Sequence, residues 1–199
     1  MVCEQQIALF GVLQSVPLPH PGGGEWEYFV QDAPNGIIGA DMDKPPVSLA
    51  LEKLNIPHRV FRHETPVDSF EKAASDRGQR PSQIVRTILF RVTEDEFALV
   101  LVAGPGQISW KKLRKLLGRS RITMATDEEV FSVTGYRPGT VGPFGLAKQP
   151  RMFIEAGVLK EEEVSIGSGM RDTAVILKSA DLMKGLGDVE VVGLFEKDS

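Results

Sequence analysis

Thr134-Gly135-Tyr136-Arg137-Pro138-Gly139-Thr140-Val141-Gly142-Pro143-Phe144-Gly145 places four glycines and two prolines in one segment, with patterned sequence on both sides. Glycine tolerates positive φ and lets a ligand approach the main chain, while proline fixes φ and withholds an N–H. A loop of this composition can aim backbone amides at an oxyanion, a phosphate or an acyl group without charged side chains. A plain turn has the same composition, so the flanking sequence has to decide between the two.

Working outward, Ser48 to Leu54 reads as a short helix ended by Asn55 and Pro57, and His58 to His63 alternates as a strand. Asp68 is placed to N-cap a helix whose apolar face is Phe70, Ala73 and Ala74 and whose stop is Gly78. Ile84 to Val92 and Phe97 to Ala103 flank the polar turn Thr93-Glu94-Asp95-Glu96, which predicts an antiparallel hairpin. Ser109 caps Trp110 to Leu117, and Asp127 caps Glu128 to Val133. Strands are expected at Met152 to Glu155, Ala174 to Leu177 and Glu190 to Leu194. This order predicts an α+β (mixed α/β) fold, a single domain with a central, mainly antiparallel sheet flanked by helices. The first 45 residues differ: Pro17-Leu18-Pro19-His20-Pro21-Gly22-Gly23-Gly24 has neither helical nor strand periodicity, and the segment reads as a poorly ordered leader to a domain over residues 46–199. Met42 offers an alternative translation start.

Three stretches in order carry a family resemblance: Pro81-Ser82-Gln83-Ile84-Val85-Arg86-Thr87, the Thr134–Gly145 loop with its Gly139-x-x-x-Pro143 spacing and Thr-Gly-Tyr lead, and Ser165-Ile166-Gly167-Ser168-Gly169 before a strand. Together they resemble the YbaK / prolyl-tRNA-editing family over roughly residues 47–195. The resemblance implies a YbaK-like fold and hydrolysis of the ester that joins a wrong amino acid to tRNA. It implies aminoacyl-tRNA as the partner, a proline tRNA carrying a small residue, with a synthetase as a possible recruiter.

The same resemblance implies a site. Gly139, Thr140, Gly142 and Pro143 would shape the catalytic loop, and Arg86 stands where the family carries a lysine that contacts the substrate end. Arginine is planar and bidentate whereas lysine is a compact point charge, so anchoring would survive the change but a role needing a neutral amine would not. Phe61, His63 and Gly169 would line the wall that tests amino-acid size, with Gly167 and Ser168 in the adjoining turn. A satisfied structural histidine and a plain turn are the alternative readings of His63 and of Gly167 to Gly169. The free hydroxyl of the terminal ribose would help to orient the attacking water.

Composition sets outer limits. The chain has 199 residues, 42% hydrophobic content and a net charge of −4, so it can bury one sizeable core and has no global basic field for DNA. No apolar run reaches the roughly 20 residues of a membrane span. Cys3 is the only cysteine and allows no internal disulfide, which favours the cytoplasm. His20, His58 and His63 lack metal-ligand spacing, so neither metal nor cofactor is expected. Ser168 lacks the partners of a serine triad. Lys111, Lys112, Arg114 and Lys115 lie opposite Leu113, Leu116 and Leu117 on one helix, either as an RNA-phosphate contact or as a solvated face. A non-catalytic nucleotide-binding or protein-interaction module with a decayed editing site is the second reading of the whole chain.

Overall fold

The computed structural model describes residues 43–67 and 69–195. Most of the leader read from residues 1–45 lies outside this range, as does Asp68. Helix α1, Pro46–Lys53, starts on a proline whose fixed φ suits the first helical position, and it buries Val47 and Leu51. Strand β1 is Arg59–Arg62. Helix α2, Phe70–Arg77, is capped by Ser69, whose hydroxyl accepts the Lys72 N–H, and it stops at Gly78 with φ +66°.

Strands β2, Val85–Arg91, and β3, Phe97–Ala103, form the expected hairpin, with Val85 opposite Ala103 and Arg91 opposite Phe97. Helix α3, Trp110–Leu117, is capped by Ser109 as expected. After the short strand β4, Thr123–Met124, comes helix α4, Asp127–Thr134. Its cap is Thr126 rather than Asp127: Thr126 Oγ1 accepts the Glu129 N–H and the Glu129 carboxylate returns to the Thr126 N–H. A reciprocal pair satisfies two orphan amides, which Asp127 alone could not do. The chain continues through β5, Arg151–Glu155, β6, Glu163–Gly167, β7, Thr173–Lys178, α5, Ser179–Leu186, and β8, Glu190–Val192.

The mixed α/β reading holds, and the strand pairing is mainly antiparallel, but the strands divide between two sheets instead of one. One is β1-β7-β6 and the other β4-β2-β3-β5-β8. Among the strands named, β3 with β5 and β5 with β8 pair in parallel, and the others pair antiparallel. Strand β3 explains the layering. Leu99, Leu101 and Ala103 enter one core with Ile166, Val175 and Leu182, while Ala98, Val100 and Val102 enter the other with Leu113 and Leu117 of α3. Both faces of β3 are covered, hence its uninterrupted apolar run. The sheets meet where Ile84 bridges Ser165, and the start of β2 is thereby held beside β6.

Candidate active site

The Gly/Pro loop is locked from inside. Helix α4 ends at Gly135, φ +78°, which turns the chain so that Tyr136 is buried. The Tyr136 hydroxyl lies 2.7 Å from the Phe144 carbonyl and 3.1 Å from that of Gly145, and it ties the two ends of the loop together. Burial pushes the Tyr136 phenol up to about 12. Thr140 turns inward: its hydroxyl donates to the Arg137 carbonyl at 2.9 Å and its N–H to the same oxygen at 3.1 Å. Its carbonyl accepts the Gly169 N–H at 2.8 Å.

Glycine is required where this loop crosses the end of β6. A Cβ on Gly142 would stand 2.3 Å from the Gly167 carbonyl oxygen, and one on Gly167 would stand 2.2 Å from that of Val141. The two backbones therefore touch without side chains between them. Gly139 is different, with φ +82° and nothing within 4 Å of an added Cβ. It faces open space. Among the described residues, no acceptor takes the N–H of Gly139 or of Val141.

That space is a cleft of about 460 Å³ at the junction of the two sheets, bordered by Gly139, Val141, Gly167, Thr87, Arg77 and Arg86. A polar recess of about 280 Å³ adjoins it and shares Gly139 and Arg77, adding His63, Thr140 and Asp172. Arg86 is half-buried at the rim. Its guanidinium donates to the Gly106 carbonyl and lies 5.8 Å over the Phe70 ring. Desolvation lowers its pKa. Its Nε and the Thr87 hydroxyl are buried without a partner among the described residues.

Arg77 stands between the two spaces. Its Nε donates to His63 Nε2 at 3.1 Å and its Nη1 to the Ser165 hydroxyl at 2.9 Å. Since an arginine nitrogen only donates, His63 Nε2 must accept, and Nδ1 then carries the proton that meets Asp76 Oδ2 at 3.0 Å. The hydrogen bonds from His63 and then Lys72 hold the Asp76 carboxyl below its ordinary value. Burial lowers the Arg77 pKa, offset in part by Asp76.

The residues expected from sequence separate accordingly. Arg86, Gly139 and Gly167 share the cleft, and His63 and Thr140 reach the recess. Phe61 backs this wall, its ring 5.0 Å from that of His63. Gly142, Ser168 and Gly169 belong to the scaffold. The Ser168 side chain is buried against the Met170 and Thr173 carbonyls, at 3.1 and 3.0 Å, and a Cβ on Gly169 would meet Tyr136 at 2.8 Å. Pro143 lies elsewhere, in a recess with Leu54 and Gly185. Of the basic residues on α3, Lys111 and Lys115 are exposed, Arg114 is half-buried, and Lys112 donates to the Phe195 carbonyl. Among the described residues, no three His, Cys, Asp or Glu side chains group as metal ligands, and no helix is long and apolar enough to cross a membrane.

Arg77, Thr87 and Ser165 were missed as site residues in the sequence. Arg77 had a legible signal: Phe70, Ala73, Ala74 and Arg77 follow the i, i+3, i+4, i+7 spacing, so a cation continues the apolar stripe of α2. Thr87 and Ser165 gave none, because a hydroxyl on a strand is ordinary.

The chain is similar to known proteins in sequence and in fold. A protein of Bacillus subtilis, the uncharacterised YwhH, is 31% identical over 128 residues, which cover 64% of this chain and 81% of that one. The proline–tRNA ligase of Aquifex aeolicus is 37% identical over 84 residues, 42% of this chain but 15% of the ligase. That of Bacillus licheniformis is 31% identical over 110 residues, 55% of this chain and 19% of the ligase. The chain thus spans no more than about a fifth of either ligase. A crystal structure described as a candidate trans-editing enzyme for prolyl tRNA synthetase superposes with a TM-score of 0.70 at 27% identity, covering 76% of this chain and 96% of that one. The sequence pattern of the aminoacyl-tRNA editing domain matches residues 64–184, a span that contains the Gly139 loop, Arg77 and the residues named as lining the cleft but not His63 of the recess, and the chain belongs to that YbaK-like editing family.

Proposed function

We propose that the protein hydrolyses the ester of mischarged aminoacyl-tRNA in trans, acting on proline tRNA that carries a small wrong amino acid. The observation that carries this reading is the pair of amides, Gly139 and Val141, that meet no acceptor among the described residues and lie on the border of a cleft of about 460 Å³. Ester hydrolysis passes through a tetrahedral oxyanion, and fixed N–H donors stabilise it without reorganising during the reaction. Water adds to the ester carbonyl, the carbonyl oxygen takes the negative charge towards these amides, and the C–O bond to the ribose then breaks. The proton lost by the water passes to the departing ribose oxygen.

Among the described residues, no Asp, Glu or His lines the cleft, and His63 and Asp172 border only the recess, Asp172 with its Oδ1 3.4 Å from the Val67 N–H. His63 is engaged on both nitrogens, so it is not free to take a proton from water. The adjacent ribose hydroxyl fills that role in this scheme, as the substrate's own general base. Thr87, with its unpartnered hydroxyl, offers a hydrogen bond to the bound aminoacyl end, and Arg86 borders the cleft on the same strand. The apolar lining from Val67, Ala73, Val141 and Ile166 suits a small side chain. Because one methylene is worth only about 1–3 kcal/mol in such a site, rejection of proline rests on steric exclusion.

The test is a panel of aminoacyl-tRNAs incubated with catalytic amounts of protein. Alanyl- or cysteinyl-tRNA of proline identity should be deacylated at least tenfold faster than prolyl-tRNA. Equal rates across the panel would remove the selectivity, and binding without turnover would favour the non-catalytic module.

A further inference from the structure

Arg77 stands at the meeting point of the cleft and the recess with no carboxylate within ion-pair distance among the described residues, and Asp76 only partly offsets its desolvation. Its two side-chain partners, His63 Nε2 and Ser165 Oγ, are neutral acceptors, and among the described residues it makes no ion pair. Asp76, the neighbouring carboxylate, is turned to His63 and Lys72. Asp172 borders the recess, with its Oδ1 3.4 Å from the Val67 N–H. A guanidinium taken partly out of water without an anion is costly unless one arrives with the ligand.

The rest of the cluster fixes where that charge points. The His63 side chain is 1% exposed and Ser165 is fully buried, so neither can swing away. With Nε and one Nη1 hydrogen engaged, the Nη1/Nη2 end of the guanidinium is left for a ligand, and two N–H groups there match a phosphate. Arg86, by contrast, donates to Gly106 and lies over Phe70, and the nitrogen it leaves without a partner among the described residues is its buried Nε. Building on the deacylase reading above, we propose that Arg77 holds the phosphodiester on the 5′ side of the substrate's terminal nucleotide, and that His63, itself fixed by Asp76, is its positioning residue. The recess is the phosphate subsite and the cleft the aminoacyl subsite, with Gly139 common to both.

The test compares two substrates, a mischarged tRNA and the same amino acid esterified to adenosine, which lacks the phosphate. Arg77→Gln should raise KM for the tRNA about tenfold or more with kcat within about twofold, and should raise KM for the adenosine ester by a much smaller factor. Arg77→Lys should recover part of the loss. His63→Ala should reproduce the KM effect in weaker form, while His63→Gln, which keeps an acceptor for Arg77, should restore it. A second arm does not need turnover: adenosine 5′-monophosphate should bind the wild-type protein more tightly than adenosine, and Arg77→Gln should abolish the difference. Melting curves establish that each variant is folded. Unchanged KM together with equal binding of the two nucleotides would overturn the assignment even if the wild type deacylates tRNA. A kcat loss shared by both substrates would also overturn it, since it would put Arg77 at the reacting carbonyl. An inactive wild type that still prefers the monophosphate would refute the deacylase reading alone.

Discussion

Gly139 has φ +82° and open space where a side chain would project, so Gly139→Ala meets no clash in the fold. Its structural cost is that of an L-residue in the left-handed region, about 1–2 kcal/mol. Its functional cost is larger in this account, because the methyl would occupy the approach to the Gly139 amide. The predicted kcat falls by about ten- to a thousandfold, the upper end being the usual loss of an oxyanion donor. Single-turnover hydrolysis beside a melting curve separates the two costs, and parental turnover in a folded variant would make the loop a simple turn. Tyr136 tests the scaffold instead. Tyr136→Phe leaves the Phe144 carbonyl without its donor and should cost about 1–3 kcal/mol. The phenol also has a pH signature. Its folded-state pKa is raised from 10.0 to about 12, so its contribution to stability is full below pH 10 and is lost as pH rises through about 12. Denaturant midpoints of the wild type should fall across that window by more than those of Tyr136→Phe, and parallel curves would show that the phenol is not what titrates.

At the scale of elements, α3 is the segment whose function the structure narrows most. Leu113 and Leu117 dock it on the Val100 face of the larger sheet, whereas the cleft opens on the side of Val85, Val141 and Ile166. The basic stripe therefore lies on the other side of that sheet from the cleft. Lys112 and Arg114 are partly engaged or covered, which leaves Lys111 and Lys115, four residues apart, as the exposed pair. Replacing both with Gln should raise KM for tRNA several-fold and reduce the salt slope by about 1.5, as expected for two lost phosphate contacts. Hydrolysis of an aminoacyl-adenosine should not change. An unaltered slope would make α3 a solvated face. Elements were also where sequence reading succeeded and failed most clearly. The β2–β3 hairpin was legible because Thr93 to Glu96 interrupts two apolar runs. Strand β6 was not read, since only the Gly167 to Gly169 turn at its end stands out, and α5 was missed because Gly185 weakens its pattern.

For the whole molecule, local pattern predicted the mixed α/β class but not the division into two sheets. The two sheets meet where Ile84 bridges Ser165, a contact between residues far apart in the chain that no periodicity encodes. The site divides in the same way. Glycines of the Thr134–Gly145 loop were legible because their composition demands special backbone, yet only the fold shows that Gly142 and Gly167 serve close packing while Gly139 faces the cleft. Pro143, read with them, lies in a different recess because the loop turns away after Gly142. Arg77 could be recognised only once α2 was laid against β6, where its guanidinium reaches Ser165. These placements converge on one claim, that a cleft bordered by two amides with no acceptor among the described residues hydrolyses the ester of a mischarged tRNA. The most direct measurement is single-turnover release of alanine from alanyl-tRNA of proline identity, with wild-type protein and Gly139→Ala side by side. The account predicts rapid release by the wild type, well above the rate in buffer, and at least a tenfold loss in the variant. Release at the buffer rate by a folded wild-type protein that binds the tRNA would contradict it.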